Sequence, residues 1–584
     1  MSTFPEYANL DLAGIHKAVL AKWKQSHLFE QTLAARKDAE PWIFFEGPPS
    51  ANGLPGIHHV MGRSLKDVFC RYKTQKGYLV DRKAGWDTHG LPVELGVEKE
   101  LGITKEDIGK SITVEEYNDA CRTAVMRYTG IWKDLTDQMG YWVDMDKPYV
   151  TYEPKYMESV WWLLSQLYKK GLIYKGYTIQ PYSPKAGTGL SSHELNQPGC
   201  YQDVKDNTVV AQFKMINNGQ SEALFGAATV HFLAWTTTPW TLPSNTALTV
   251  GPKIEYSLVH TFNQYTHEPV SIVAATPLLG KLFGKKFVEG DTAAYEAGAK
   301  KIPYQIEKTV TGTDLVGLKY EQLMPYALPD ERPEDAFRII PGDFVTTEDG
   351  TGIVHTAPTF GADDAKVAAD AGVPPLLVKD EQGNLVPLVD LRGKFRSELA
   401  DPVFGFGEEY IKAEYLTDEE KAEELAKQQA LLKPIIPELK AYLSVDERIA
   451  LKLKIENKAF KIEKYEHSYP HCWRTDKPVL YYPLDSWFIK STAKKDQMIA
   501  LNKTINWKPA STGTGRFGNW LENLNDWNLS RSRFWGIPLP IWSTEEGDEH
   551  LCIESAAQLK EEIEKAIAAG LMDTNPMGDF DPTD

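Results

Sequence analysis

Residues Trp42 to Glu94 constrain this chain more than any other stretch. A short apolar run, Trp42 to Phe45, meets the breakers Gly47, Pro48 and Pro49, which reads as a buried strand ending in a turn. The loop from Gly47 to Gly56 holds three Gly and three Pro in ten residues. His58, His59, Met61, Leu65, Val68, Phe69 and Tyr72 then recur at helical spacing, so a helix begins near the histidine pair. A strand, a Gly-rich turn and a helix start make an anion site, because unpaired N–H groups and the helix dipole face whatever sits there. Two imidazoles at that point can donate hydrogen bonds to phosphate oxygens whose charge grows in a transition state. The same pair also fits a surface helix start or an adventitious metal site.

At 584 residues the chain exceeds one hydrophobic core, so two or three domains are expected. Its 42% apolar and 25% charged residues are those of a globular protein. No apolar run reaches membrane-spanning length and no signal peptide precedes the first helix, so a cytoplasmic location and no membrane partner are expected. Five scattered cysteines without a C-x-x-C pair argue for a reducing compartment. A net charge of −17 argues against a general nucleic-acid binder. Arg448 to Lys464 is the one conspicuous basic stretch and reads as a binding track or a solvated helix face.

Leu10 to Arg36 reads as one amphipathic helix with Ile15, Val19, Leu20, Trp23 and Leu28 as its stripe. Glu94 to Gly140 and Met157 to Lys170 are helical, giving the strand–helix rhythm of a parallel sheet. From Tyr201 to Thr359 the texture turns to β-branched runs between Gly, Pro and Asn turns, the pattern of an inserted, mostly β domain. Asp418 to Leu432 is a helical connector, and Pro470 to Trp542 returns to mixed texture. The expected architecture is α/β: a first part over 1–200, a β insertion over 201–400, and a return over 401–584.

GPPSANGLPGIHHVMGR followed by GWDTHGLPVE resembles the nucleotide-binding segment of class I aminoacyl-tRNA synthetases of the isoleucine, valine and leucine group. In that family a His-x-Gly-His tetrad opens the first helix of a Rossmann-like catalytic domain and holds ATP. Here the tetrad falls on Gly56, Ile57, His58 and His59, as though Gly and His had been exchanged. The resemblance implies His58 and His59 as catalytic residues, with Gly47, Pro49, Gly56 and His59 at the ATP, Mg²⁺ helping the phosphates. It further implies Asp87 on the substrate ammonium, with Pro48, Trp487 and Trp527 around an isoleucine side chain. Read alone, Asp87 is equally a turn residue and a Trp equally plain core.

AWTTTPWTLPSN (Ala234 to Asn245) and GTGIVHTAPTFGADD (Gly350 to Asp364) resemble the inserted proofreading domain, in the form carried by the isoleucyl members. Alone, the threonines fit a pleated strand and Asp363–Asp364 a helix cap or turn. By the resemblance, Asp364 pairs with the amino group of a misacylated amino acid, a charge-assisted contact suited to a carboxylate. Thr236, Thr237, Thr238, Thr241, Asn245 and His355 would shape the pocket and position water. Isoleucine and valine differ by one methylene, worth roughly 1–3 kcal/mol or about 10–200-fold in a pocket, a figure established on isoleucyl enzymes themselves. A second, hydrolytic site that admits only the smaller side chain supplies the rest.

Where many relatives bind zinc through paired C-x-x-C motifs, this chain reads Ser183, Ala186, Cys472 and Thr475, so no zinc is expected there. No Lys-Met-Ser-Lys-Ser-like loop or anticodon-binding domain occurs before DFDPTD. The expectation is thus a monomeric N-terminal fragment of an isoleucine–tRNA ligase, deficient in synthesis, with ATP, L-isoleucine and tRNA(Ile) as its partners. A valyl or leucyl enzyme, or a module that only binds tRNA or nucleotide and edits, are the alternatives.

Overall fold

A computed structural model describes residues 9–545, 547 and 549–580, so the final residues of DFDPTD lie outside the described residues. The chain divides into two compact units. The first comprises Met1–Tyr174, Ile489–Trp527 and Arg533–Asp584; the second comprises Lys175–Phe488 and Asn528–Ser532. The architecture is mixed α/β. Among the described residues no helix is long and apolar enough to cross a membrane.

In the first unit the strand Lys83–Trp86 pairs in parallel with Asp144–Val150. Leu91–Leu101 and Val114–Val125 bury Val93, Val97, Tyr117, Cys121 and Val125 together. Two carboxylates are enclosed there. Glu94 accepts the Phe534 and Trp535 amides at 3.1 and 3.0 Å, and the Arg533 guanidinium pairs with both Glu94 and Glu98.

Two expectations fail in this unit. Trp42 to Phe45 is not a buried strand: Ile43 and Phe45 are 71% and 88% exposed. It bonds in parallel only near its ends, through bridges at Pro41–Leu79 and Ser50–Asp87, so no ladder forms between. The N-terminal helix is two helices, Leu12–Gln25 and Leu28–Ala34. The Ser26 amide and hydroxyl both turn back to the Lys22 carbonyl, and His27 takes a left-handed φ of 47°, which breaks the helical path.

The second unit is built on a ten-stranded mixed sheet. Ile353–Thr356 lies between Val230–Thr236, its parallel neighbour, and Ala247–Val250, its antiparallel one. Arg338–Pro341 continues beyond Ala247–Val250. Pro269–Ala275, Glu255–Phe262, Ile302–Thr311 and Phe287–Glu289 continue on the other side. Tyr201–Lys214 pairs with Val230–Thr236 and, over eleven positions, with Ala459–Pro470. Both faces are covered: Val209, Ala211 and Phe213 enter one core, while Val210, Leu233, Val259 and Ile272 enter another. Continuous β-branched runs are what a sheet buried on two faces requires.

The basic stretch is neither a solvated helix face nor a single element. Val445–Ile455 is a helix that buries Arg448, Ile449 and Leu453, and Ala459–Pro470 is a strand of the sheet. The Arg448 side chain is fully enclosed, pairs with Glu409 and donates to the Phe404 carbonyl at 2.5 Å. Its positive charge is therefore a packing feature. Glu409→Ala would leave that guanidinium buried without its counter-charge, at a cost of about 3–5 kcal/mol. Urea unfolding of the variant measures it; a shift no larger than that of Glu100→Ala, whose pair with Arg127 is exposed, would contradict this.

Candidate functional site

Each unit holds one group of the singled-out residues. In the first, Ile57–Gln75 is a helix with Gly56 at its N-cap in extended conformation. The Gly56 amide donates to His59 Nδ1 at 2.9 Å. That leaves Nε2–H as the ring's donor, and burial, with the charges of His58 and Arg63 adding to it, lowers the pKa so that the ring stays neutral. The His59 ring meets Trp132 edge-on at 4.7 Å, and Trp132 Nε1 donates to the Gly53 carbonyl at 2.9 Å, pinning the loop.

The His58 and His59 rings lie against each other with centroids 3.8 Å apart and planes tilted by 42°. A Cβ at Gly56 would stand 2.9 Å from both Nδ1 and Cε1 of His58. The imidazole of His58 therefore fills the space into which a side chain at position 56 would project.

Gly47 is exposed, and Pro48 and Pro49 are half-buried. The Pro49 carbonyl accepts the Asp87 amide at 3.0 Å, so the Gly/Pro loop and Asp87 are brought together. Trp527, also of this unit, is 59% exposed. Trp487 belongs to the second unit, where its amide bonds to Ser530 Oγ at 2.8 Å. Sequence reasoning missed Glu46, which accepts from Lys66 and Tyr141; a carboxylate at the foot of the Gly/Pro loop was the available signal.

In the second unit Thr236, Thr237, Thr238, Thr241, His355 and Asp364 line one cavity of about 440 Å³, together with Phe344, Thr351 and Phe360. The sheet explains the convergence. Ile353–Thr356 sits beside Val230–Thr236, and the turn Pro239–Ser244 that leaves the latter strand brings Thr241 Oγ1 to 3.0 Å from His355 Nε2. Asp446, 206 positions away in sequence, accepts the Trp240 amide at 2.8 Å and fixes that turn; no sequence signal pointed to it. Asn245 is absent from the cavity wall and stands behind His355, its Nδ2 2.8 Å from His355 Nδ1.

Asp363 and Asp364 fall in the first turn of the helix Ala362–Asp370, as a cap-like reading allows. Asp364 Oδ2 accepts the Ala357 amide at 2.8 Å. Burial nevertheless raises its pKa to about 6, the Ala357 bond opposing and Asp363 adding to the shift. A desolvated carboxylate in a cavity has one strong means of stabilisation left, a cation. His355 is pushed the other way, down to about 3 by burial, and is neutral.

The residues at the zinc-like positions do not fit a metal. Ser183 Oγ accepts the Ala186 amide at 3.2 Å, and Cys472 heads a turn closed by its own amide on the Lys477 carbonyl. Among the described residues no group of three or more His, Cys, Asp or Glu side chains could hold a metal ion.

The profile of tRNA synthetases class I (I, L, M and V) matches residues 18–575. The chain is 60% identical over 578 residues to an isoleucine–tRNA ligase of Bacteroides fragilis, covering 99% of this chain and 49% of the relative. It is 62% identical over 561 residues to that of Cytophaga hutchinsonii (96% and 49%), and 41% identical over 548 residues to that of Clostridium tetani (94% and 45%). The chain spans about half the length of the curated relatives it matches. From Lys17's neighbour Ala18 to Asn575, through both groups of residues described above, the chain belongs to the class I tRNA synthetases of the isoleucine, leucine, methionine and valine group.

Proposed function

We propose that the chain carries the nucleotide site and the hydrolytic site of an isoleucine–tRNA ligase: ATP-dependent activation of isoleucine, transfer to tRNA(Ile), and cleavage of valyl-tRNA(Ile). The observation that supports it most is the convergence of Thr236–Thr238, Thr241, His355 and Asp364 on one cavity in the second unit. The identity with relatives that bear the isoleucine name supports the choice of amino acid. The same reading has the protein acting as a monomer in the cytoplasm, with the nucleotide accompanied by Mg²⁺.

In the first unit the isoleucine carboxylate attacks the α-phosphate of ATP and pyrophosphate leaves. His59 Nε2–H and the His58 ring, at the start of a helix, donate to the phosphate oxygens, so catalysis is positioning and charge stabilisation. Asp87, tied to the Gly/Pro loop, takes the substrate ammonium. In the second unit Asp364 takes the ammonium of a valyl ester, the threonine hydroxyls hold the ester and a water, and the wall excludes the longer isoleucyl side chain.

Three results are expected. Gly56→Ala must displace the His58 ring, so it should weaken ATP binding by the same factor as His58→Ala in calorimetric titration; an unaffected Gly56→Ala would show that the two positions do not share one role. Asp364→Ala should slow deacylation of valyl-tRNA(Ile) roughly a hundredfold, the loss of a charged hydrogen bond of about 3 kcal/mol. In the parent chain kcat/KM for that deacylation should also fall as pH drops below about 6, where Asp364 takes up a proton. Cleavage as fast as the parent's would make Asp364 a turn residue only.

The same carboxylate sets a stability slope. Unfolded, Asp364 loses its proton near 3.8, whereas folded it keeps the proton to about 6. The folded state thus binds more protons between those values, and stability falls as pH rises across them. Asp364→Asn, which can still accept the Ala357 amide, should be more stable than the parent at neutral pH by about 1–3 kcal/mol. Urea titrations at several pH values should show that gain vanish towards pH 4; a gain independent of pH would point elsewhere.

A further inference from the structure

His355 is held at both ring nitrogens, and the direction of every hydrogen bond around it is fixed from outside the ring. Asn245 Nδ2 lies 2.8 Å from the Ala247 carbonyl, which can only accept, so the amide is oriented with its NH₂ on that side. The same NH₂ reaches His355 Nδ1 at 2.8 Å, which must then be bare. The amide oxygen on the other side accepts from the buried Tyr320 hydroxyl at 2.7 Å. From the far end, the Thr241 hydroxyl donates to the Thr238 carbonyl at 2.8 Å, so its oxygen is left to accept from His355 Nε2 at 3.0 Å. Both ends demand the same tautomer independently.

We propose that Tyr320 and Asn245 are positioning residues that lock His355 as the neutral Nε2–H tautomer, so that His355 orients Thr241 in the cavity and does not act as a base. The proposal rests on the hydrolytic reading of that cavity only for its consequence. A single relay runs Tyr320 hydroxyl, Asn245 amide, His355 imidazole, Thr241 hydroxyl, Thr238 carbonyl. Each member donates to the next, and the burial that keeps His355 unprotonated acts in the same sense. Tyr320 is itself clamped between Phe213 and Phe337, at 5.4 and 6.3 Å, so its hydroxyl has one direction. Neither His355 nitrogen is left to take a proton from water. The base for hydrolysis must come from elsewhere.

The test is spectroscopic and needs no tRNA. In the whole chain labelled with ¹⁵N-histidine, the signals lost in His355→Gln identify His355 among the 13 histidines. Nδ1 should resonate as a bare nitrogen and Nε2 as a protonated one, unchanged from about pH 8 to about pH 5, across the ordinary histidine range. A protonated Nδ1, or a titration within that range, overturns the relay. Asn245→Asp replaces a donor by an acceptor and should force a proton onto Nδ1, with valyl-tRNA(Ile) deacylation falling at least tenfold. Tyr320→Phe, which keeps the ring packing, should leave Nδ1 bare and lower deacylation roughly fivefold, the worth of one hydrogen bond. If the spectrum is as stated but the parent chain cleaves no valyl-tRNA(Ile), the relay stands and the hydrolytic reading falls.

Discussion

The second unit depends on one strand being threaded between two others. Ile353–Thr356 pairs in antiparallel fashion with Ala247–Val250, His355 opposite Leu248, and in parallel with Val230–Thr236, Val354 opposite Trp235. A parallel neighbour cannot be reached by a tight turn, and here more than a hundred residues separate two motifs that touch in space. That register places His355 against Thr241 and Asn245, and it starts the loop whose helix returns Asp364 to the Ala357 amide. A slip of one residue would turn His355 to the opposite face of the sheet and dismantle the cavity.

How far this was legible in the sequence follows from what each signal measures. The strands from Tyr201 to Thr359 were marked by β-branched runs between breakers, and those runs are strands of the sheet. Ala459–Pro470 carries no strand signal of its own: its lysines alternate with glutamates, and a charged, alternating strand reads like a solvated helix face until its partner Tyr201–Lys214 is known. Arg448 reads as part of a binding track or a solvated face because no local pattern announces a counter-charge 39 residues upstream at Glu409. The threonines, His355 and Asp364 could be named from their motifs. Their supports, Tyr320 and Asp446, could not, since both act by long-range contacts from segments with no motif of their own.

In the first unit the local structure is legible and the packing is not. The helix start, its glycine cap and the paired imidazoles lie where the Gly/Pro loop pointed. The apolar stripe Met61, Leu65, Val68, Phe69 and Tyr72 has the expected helical spacing, but each of these side chains is more than half exposed. Periodicity reports which face of a helix is apolar, not whether anything covers it. The exposed Ile43 and Phe45 teach the same about strands: the apolar run is present, but the ladder is not.

The proposed reading has the cavity of the second unit sort amino acids by size after they are joined to tRNA. Its most direct test compares the first-order deacylation of valyl-tRNA(Ile) and isoleucyl-tRNA(Ile) by the chain at equal concentrations. Cleavage of the valyl ester at least tenfold faster than the isoleucyl ester, the order of discrimination one methylene allows, is the result predicted. Equal rates for the two esters, or no cleavage of either, would contradict it.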